Sequence, residues 1–116
     1  MKAMEAINQA DRLRPNAYSA EEKLRWLERL EERIRREIPA GDEAQNEESF
    51  GPERELLAPA AYEELYLHFL CARMSLGDGE ADSFNAANAL FEAVFRQLRN
   101  ARNREQLPKT ARKRYF

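Results

Sequence analysis

His68 and Cys71 are the residues of this 116-residue chain best equipped for nucleophilic or proton-transfer chemistry. Three positions apart in an apolar stretch, they share a helical face if that stretch is a helix. A His-based relay needs a nucleophile beside the ring, and Cys71 is the one at hand. The competing reading is a half-buried histidine and a buried cysteine in a packed helix, the usual fate of a lone cysteine. A metal site lacks its donors, because the chain has one histidine and one cysteine and so no Cys pair or His-x-x-x-His spacing.

Asp78-Gly79-Glu80-Ala81-Asp82 has the carboxylate density of a calcium loop. It lacks the alternating oxygen ligands and the glutamate at the twelfth loop position, so it reads as a solvated turn with helix-capping acids. No Gly-Lys-Ser/Thr or Gly-x-Gly-x-x-Gly phosphate loop occurs. The expectation is a protein that is not an enzyme and takes no cofactor or metal.

The remaining chemistry lies in charge. Residues 99–116 hold seven lysines and arginines against Glu105, a surplus of about six, while the whole chain has a net charge of −2. An acidic body with a basic tail favours head-to-tail contact between copies or an acidic partner. Within the tail, Lys109, Arg112, Lys113, Arg114, Tyr115 and Phe116 form a candidate assembly interface. The same basic run suits nonspecific phosphate contact. Specific DNA readout is not expected, because no basic, amide-rich recognition helix accompanies it.

Helices must position these groups. Ala, Leu, Glu and Arg dominate, with only 4 Gly, a composition that favours helices with solvated faces. The first helix spans 2–13, with Ala3, Met4, Ile7, Ala10 and Leu13 as its stripe. Arg14-Pro15-Asn16 ends it, because Pro15 lacks an N–H and restrains Arg14. Ser19 caps the second helix in a capping box with Glu22. Leu24, Leu27, Leu30 or Glu31, Ile34 and Ile38 recur at steps of three and four. Trp26 sits off that stripe, placed for a second contact. Glu28, Arg29, Glu32, Arg33 and Arg36 form a charged outer face with an attractive Glu32–Arg36 pair. Pro39 and Gly41 break the helix.

Residues 39–58 are an irregular, acidic segment, and a connection this long is expected to be functional or mobile. Phe50 is its aromatic anchor. Pro59 suits the first turn of a third helix that runs to about Leu76, with Leu65, Tyr66, Phe69, Leu70 and Met74 inward. Gly77-Asp78-Gly79 stops it. Asp82 or Ser83 caps a fourth helix running to about Arg104. Its stripe is Phe84, Ala87, Leu90, Phe91, Val94, Phe95 and Leu98. Asn85, Asn88, Asn100 and Asn103 lie in this helix, either as an exposed polar face or as interfacial hydrogen-bonding groups. Pro108 ends it.

The fold class expected is all-α: a small bundle of about four helices with one long irregular loop and a basic C-terminal tail. The third and fourth helices form its central antiparallel hairpin. Residues 1–108 make a single domain and 109–116 the tail. A domain of this size buries enough surface to fold without disulfides. The lone cysteine suits a reducing compartment, and neither a membrane span nor a signal-peptide core is evident, so synthesis in the cytoplasm is expected.

Several segments in order resemble one family. They are Ala17-Tyr18-Ser19 with Glu22-Lys23-Leu24-Arg25-Trp26-Leu27, and Glu55-Leu56-Leu57-Ala58-Pro59 with Tyr62-Glu63-Glu64-Leu65-Tyr66-Leu67. Asp82-Ser83-Phe84-Asn85, Ala89-Leu90-Phe91 and Gln106-Leu107-Pro108-Lys109 follow. Together they cover most of residues 4–109, and their order is more specific than any one of them. The chain resembles the small head–tail connector, or neck adaptor, proteins of tailed bacteriophages and prophages. The resemblance implies a structural virion protein, made in the host cytoplasm. It implies docking below the portal as part of a ring around the DNA channel, dodecameric if it follows portal symmetry. Portal and other neck or tail proteins would be its partners, with nonspecific contact to packaged DNA. The acidic loop at 40–55 takes no role from the resemblance. The alternative is a small cytoplasmic protein-binding or regulatory module, an adaptor or inhibitor, in which the acidic loop mimics nucleic acid or docks on a basic partner.

Overall fold

A computed structural model describes residues 1–38 and 49–106. Among the described residues the chain forms an all-α bundle of four helices: α1 (Ala3–Leu13), α2 (Ala20–Glu37), α3 (Glu64–Gly77) and α4 (Ala81–Gln106), with a 3₁₀ turn at Ala60–Tyr62 before α3. Pro59 thus opens the 3₁₀ turn rather than α3 itself. Among the described residues no helix is long and apolar enough to cross a membrane.

α3 is the centre. Leu65, Tyr66, Leu70, Ala72 and Met74 are buried and Leu67, Phe69 and Cys71 are partly so, which leaves it apolar nearly all round. A helix of that kind must be covered on several sides. α1 and α2 pack on it, and it forms its most extensive contact with α4, as the expected central hairpin. Ile7, Leu27, Leu30, Leu65, Leu70, Met74, Phe95 and Leu98 are fully enclosed in the shared core. Burial of each such side chain contributes roughly 1.5–3 kcal/mol.

The helix ends are specified locally. The Ser19 hydroxyl accepts from the Glu22 amide, the forward half of the expected capping box; the return bond to the Glu22 carboxylate is not formed among the described residues. In the α1–α2 connection the Asn16 side-chain amide donates to Asp11 and to the Arg14 carbonyl, and the Tyr18 N–H donates back to the Asn16 side-chain oxygen. α4 starts at Ala81, just ahead of the expected cap, because the Glu80 carbonyl already accepts from the Phe84 amide.

Residues 50–58 are irregular but well engaged. The α1 amides of Ala3 and Met4 donate to the carbonyls of Arg54 and Pro52, and the Leu56 amide donates to Met1. The strap therefore supplies acceptors for donors that a helix N-terminus leaves open. Leu56 and Ala58 are buried, and Phe50 packs partly against the core with the Arg54 guanidinium 5.4 Å from its ring centre.

Three expectations require correction. Leu13 is 67% exposed and Leu90 53% exposed, although each falls near an apolar stripe. Leu13 is the last residue of α1, and Leu90 sits at the edge of the buried side of α4, on a face shared with Ala86 and Ala93. The Glu32–Arg36 pair is not among the ion pairs; Arg33 instead bonds Glu37 at 2.7 Å, held there by its packing over Phe95. Residues 39–48, with most of the acidic loop, lie outside the described residues.

Candidate interaction surfaces

His68 and Cys71 do not assemble into a relay. Both are half-buried on α3, and no hydrogen bond joins them among the described residues. Burial pushes the Cys71 thiol above its ordinary pKa, only partly offset by Arg14. An activated thiolate requires the opposite shift. Among the described residues no group of three or more His, Cys, Asp or Glu side chains is arranged to hold a metal ion.

The carboxylates after α3 have an internal partner. Arg14 pairs with both Asp78 and Glu80, and the Tyr18 hydroxyl donates to Asp78 at 2.8 Å. These bonds pin the α1 exit to the α3–α4 turn. Gly79 makes that turn possible with a φ of +74°. The hydrogen bonds from Arg14 and Tyr18 hold the Asp78 carboxyl below its usual range.

Two surfaces have no internal use. The first is the outer side of α4. Ala86, Ala89, Leu90 and Ala93 are exposed and fall at helical steps that place them on one face. Asp82 and Ser83 continue that face at one end, Gln97 and Asn100 at the other, and all four are exposed. A solvated helix face is ordinarily polar throughout; this one is apolar over two turns with polar ends. Asn85 and Asn103 are also exposed, and Asn88 is half-buried.

The second is a cavity of about 250 Å³ between α2 and α3. Arg29, Arg33 and Arg36 of α2 and Arg73 of α3 surround it, with Trp26, Leu30 and Phe69 as its apolar lining. Arg33 is committed: it bonds Glu37 and Glu92 and lies 4.1 Å from the centre of the Phe95 ring. Arg73 stacks 5.3 Å from the Trp26 ring centre, and its buried Nε has no hydrogen-bond partner. Tyr18 packs edge-on against the same indole at 5.4 Å.

No family model, curated protein or solved structure matches the chain.

The tail residues Lys109, Arg112, Lys113, Arg114, Tyr115 and Phe116 lie outside the described residues. The arginine cavity was hidden in plain pattern. Trp26, Arg29, Leu30 and Arg33 recur at steps of three and four, like the core stripe beside them, but arginines at such spacing read as a solvated face. Nothing in the α2 pattern places Arg73 opposite them.

Proposed function

We propose that the chain is a structural virion protein of the tailed-phage neck. In this reading it is a head–tail connector that docks below the portal as one subunit of a ring around the DNA channel. The ordered family-like segments support the reading; parts of α2, α3 and α4 fall within them. The observation that carries it is the outer face of α4, where Ala86, Ala89, Leu90 and Ala93 lie uncovered between polar ends. Interfaces between subunits have this layout, an apolar centre within a polar rim. In a ring, a face of one subunit meets a different face of the next, and the opposite charges of the body and of residues 109–116 suit such a contact.

The test is assembly with the portal of the phage or prophage that encodes the chain. Mixed complexes are expected by native mass spectrometry, weakened by deletion of 109–116 and lost in Leu90→Glu. The second reading, a protein-binding or regulatory module acting as a monomer, draws on the arginine cavity, which suits a partner's side chains. A pull-down that recovers one host protein, with none of the chain found in virions, favours it.

A further inference from the structure

We propose that the cavity between α2 and α3 is a binding site for a carboxylate-rich peptide segment of a partner protein, held by Arg29, Arg36 and Arg73. Among the described residues, none of these three guanidinium groups has a carboxylate within ion-pair distance, whereas their neighbour Arg33 has two. Three unpaired cations around a space of about 250 Å³ form a site complementary to negative charge. Guanidinium groups match carboxylate geometry with paired donors. The apolar lining by Leu30 and Phe69 lowers the local dielectric and strengthens such pairs.

The arrangement of Arg73 adds direction. Its guanidinium lies over the Trp26 ring, and its buried Nε has no partner among the described residues. Tyr18 braces the indole from its edge, so Trp26 serves as the platform that holds Arg73.

The same stacking separates an acidic peptide from a nucleic acid. Single-stranded nucleic acid is gripped by stacking bases on open aromatic faces. Here Arg73 covers one face of Trp26, and Phe69, the other ring lining the cavity, packs against the buried Phe91 at 5.4 Å. The site offers more cations than ring faces, which favours a carboxylate-rich chain over stacked bases. This chemistry does not depend on the neck assignment and holds for a monomeric module as well.

Trp26 is the only tryptophan in the chain, so its fluorescence reports on this site alone. The probe is an N-acetylated hexaglutamate peptide titrated into the full-length protein. Inorganic phosphate and a thymidine hexanucleotide are run in parallel. A saturable change with the peptide is expected, with affinity reduced at least about tenfold in the Arg29→Glu/Arg36→Glu variant. Both positions are exposed, so the variant keeps its helical circular dichroism, and Arg73→Lys tests the third cation without removing charge. Binding of the oligonucleotide or phosphate as tightly as the peptide overturns the proposal in favour of a phosphate site. No saturable change, or equal binding by the double variant, overturns it outright.

Discussion

The Tyr66 hydroxyl donates to the Glu31 carboxylate across 3.1 Å, joining α3 to α2 in the interior between residues 35 positions apart. The pair also anchors the strap. Glu31 accepts from the Leu57 amide at 2.8 Å, and the Tyr66 oxygen accepts from the Ala58 amide at 2.9 Å. An irregular segment can be buried only if its backbone donors find acceptors, and these two side chains provide them. Tyr66→Phe keeps the ring but leaves the Ala58 amide unsatisfied and removes a donor to Glu31. Urea unfolding should show a loss of about 1–3 kcal/mol. A variant as stable as the parent would mean that the strap is held by other contacts.

The same carboxyl makes stability depend on pH. Burial raises Glu31 from 4.5 to about 7, against the opposing pull of the hydrogen bonds from Leu57 and Tyr66. The folded state therefore binds the proton more tightly than the unfolded chain. Its contribution is fully present below pH 4.5 and is lost as pH rises through about 7. The shift corresponds to roughly 3 kcal/mol across that window. Asp78 acts oppositely: its pKa is lowered in the fold, so its contribution is present above about 3.8 and lost as pH falls through the folded value. Unfolding measured from pH 4.5 to 8 should show falling stability, and Glu31→Gln should flatten the curve. Parallel curves for parent and variant would contradict the role given to Glu31.

Gly77 is needed for space rather than for its backbone angle. A Cβ at this position would overlap the Tyr18 hydroxyl, which donates to Asp78. Gly77→Ala should displace the ring and break that bond, at a cost of about 1–2 kcal/mol by thermal or urea unfolding. Pairing it with Tyr18→Phe provides the check. The two losses should be less than additive, because both remove the same hydrogen bond.

Leu90→Glu separates assembly from folding. The side chain is 53% exposed and not part of the buried core, so stability should stay within about 0.5 kcal/mol of the parent. Complex formation with the portal should disappear. Equal loss of melting temperature and assembly would assign Leu90 to the fold instead.

Much of the fold was legible in the residues. Ser19, Pro15 and Gly77-Asp78-Gly79 mark helix ends by local chemistry, and the all-round apolar character of α3 announces a central helix. Leu13 and Leu90 were misread because periodicity identifies a face but not whether another element covers it. Lys23 is buried against Asp11 at 2.8 Å, and Glu31 against the strap. Neither is visible in the α2 pattern, because the partners come from α1 or from 26 to 35 positions further along. The arginine cavity eluded the pattern for a related reason: it needs Arg73 from α3 across from the α2 arginines. The candidate interface at 109–116 rests on sequence alone.

Native mass spectrometry of the full-length protein with its cognate portal is the most direct test of the assembly claim. The neck reading predicts a mixed complex whose subunit number follows the portal ring and which Leu90→Glu abolishes. A chain that stays monomeric and leaves the portal's mass unchanged would contradict it.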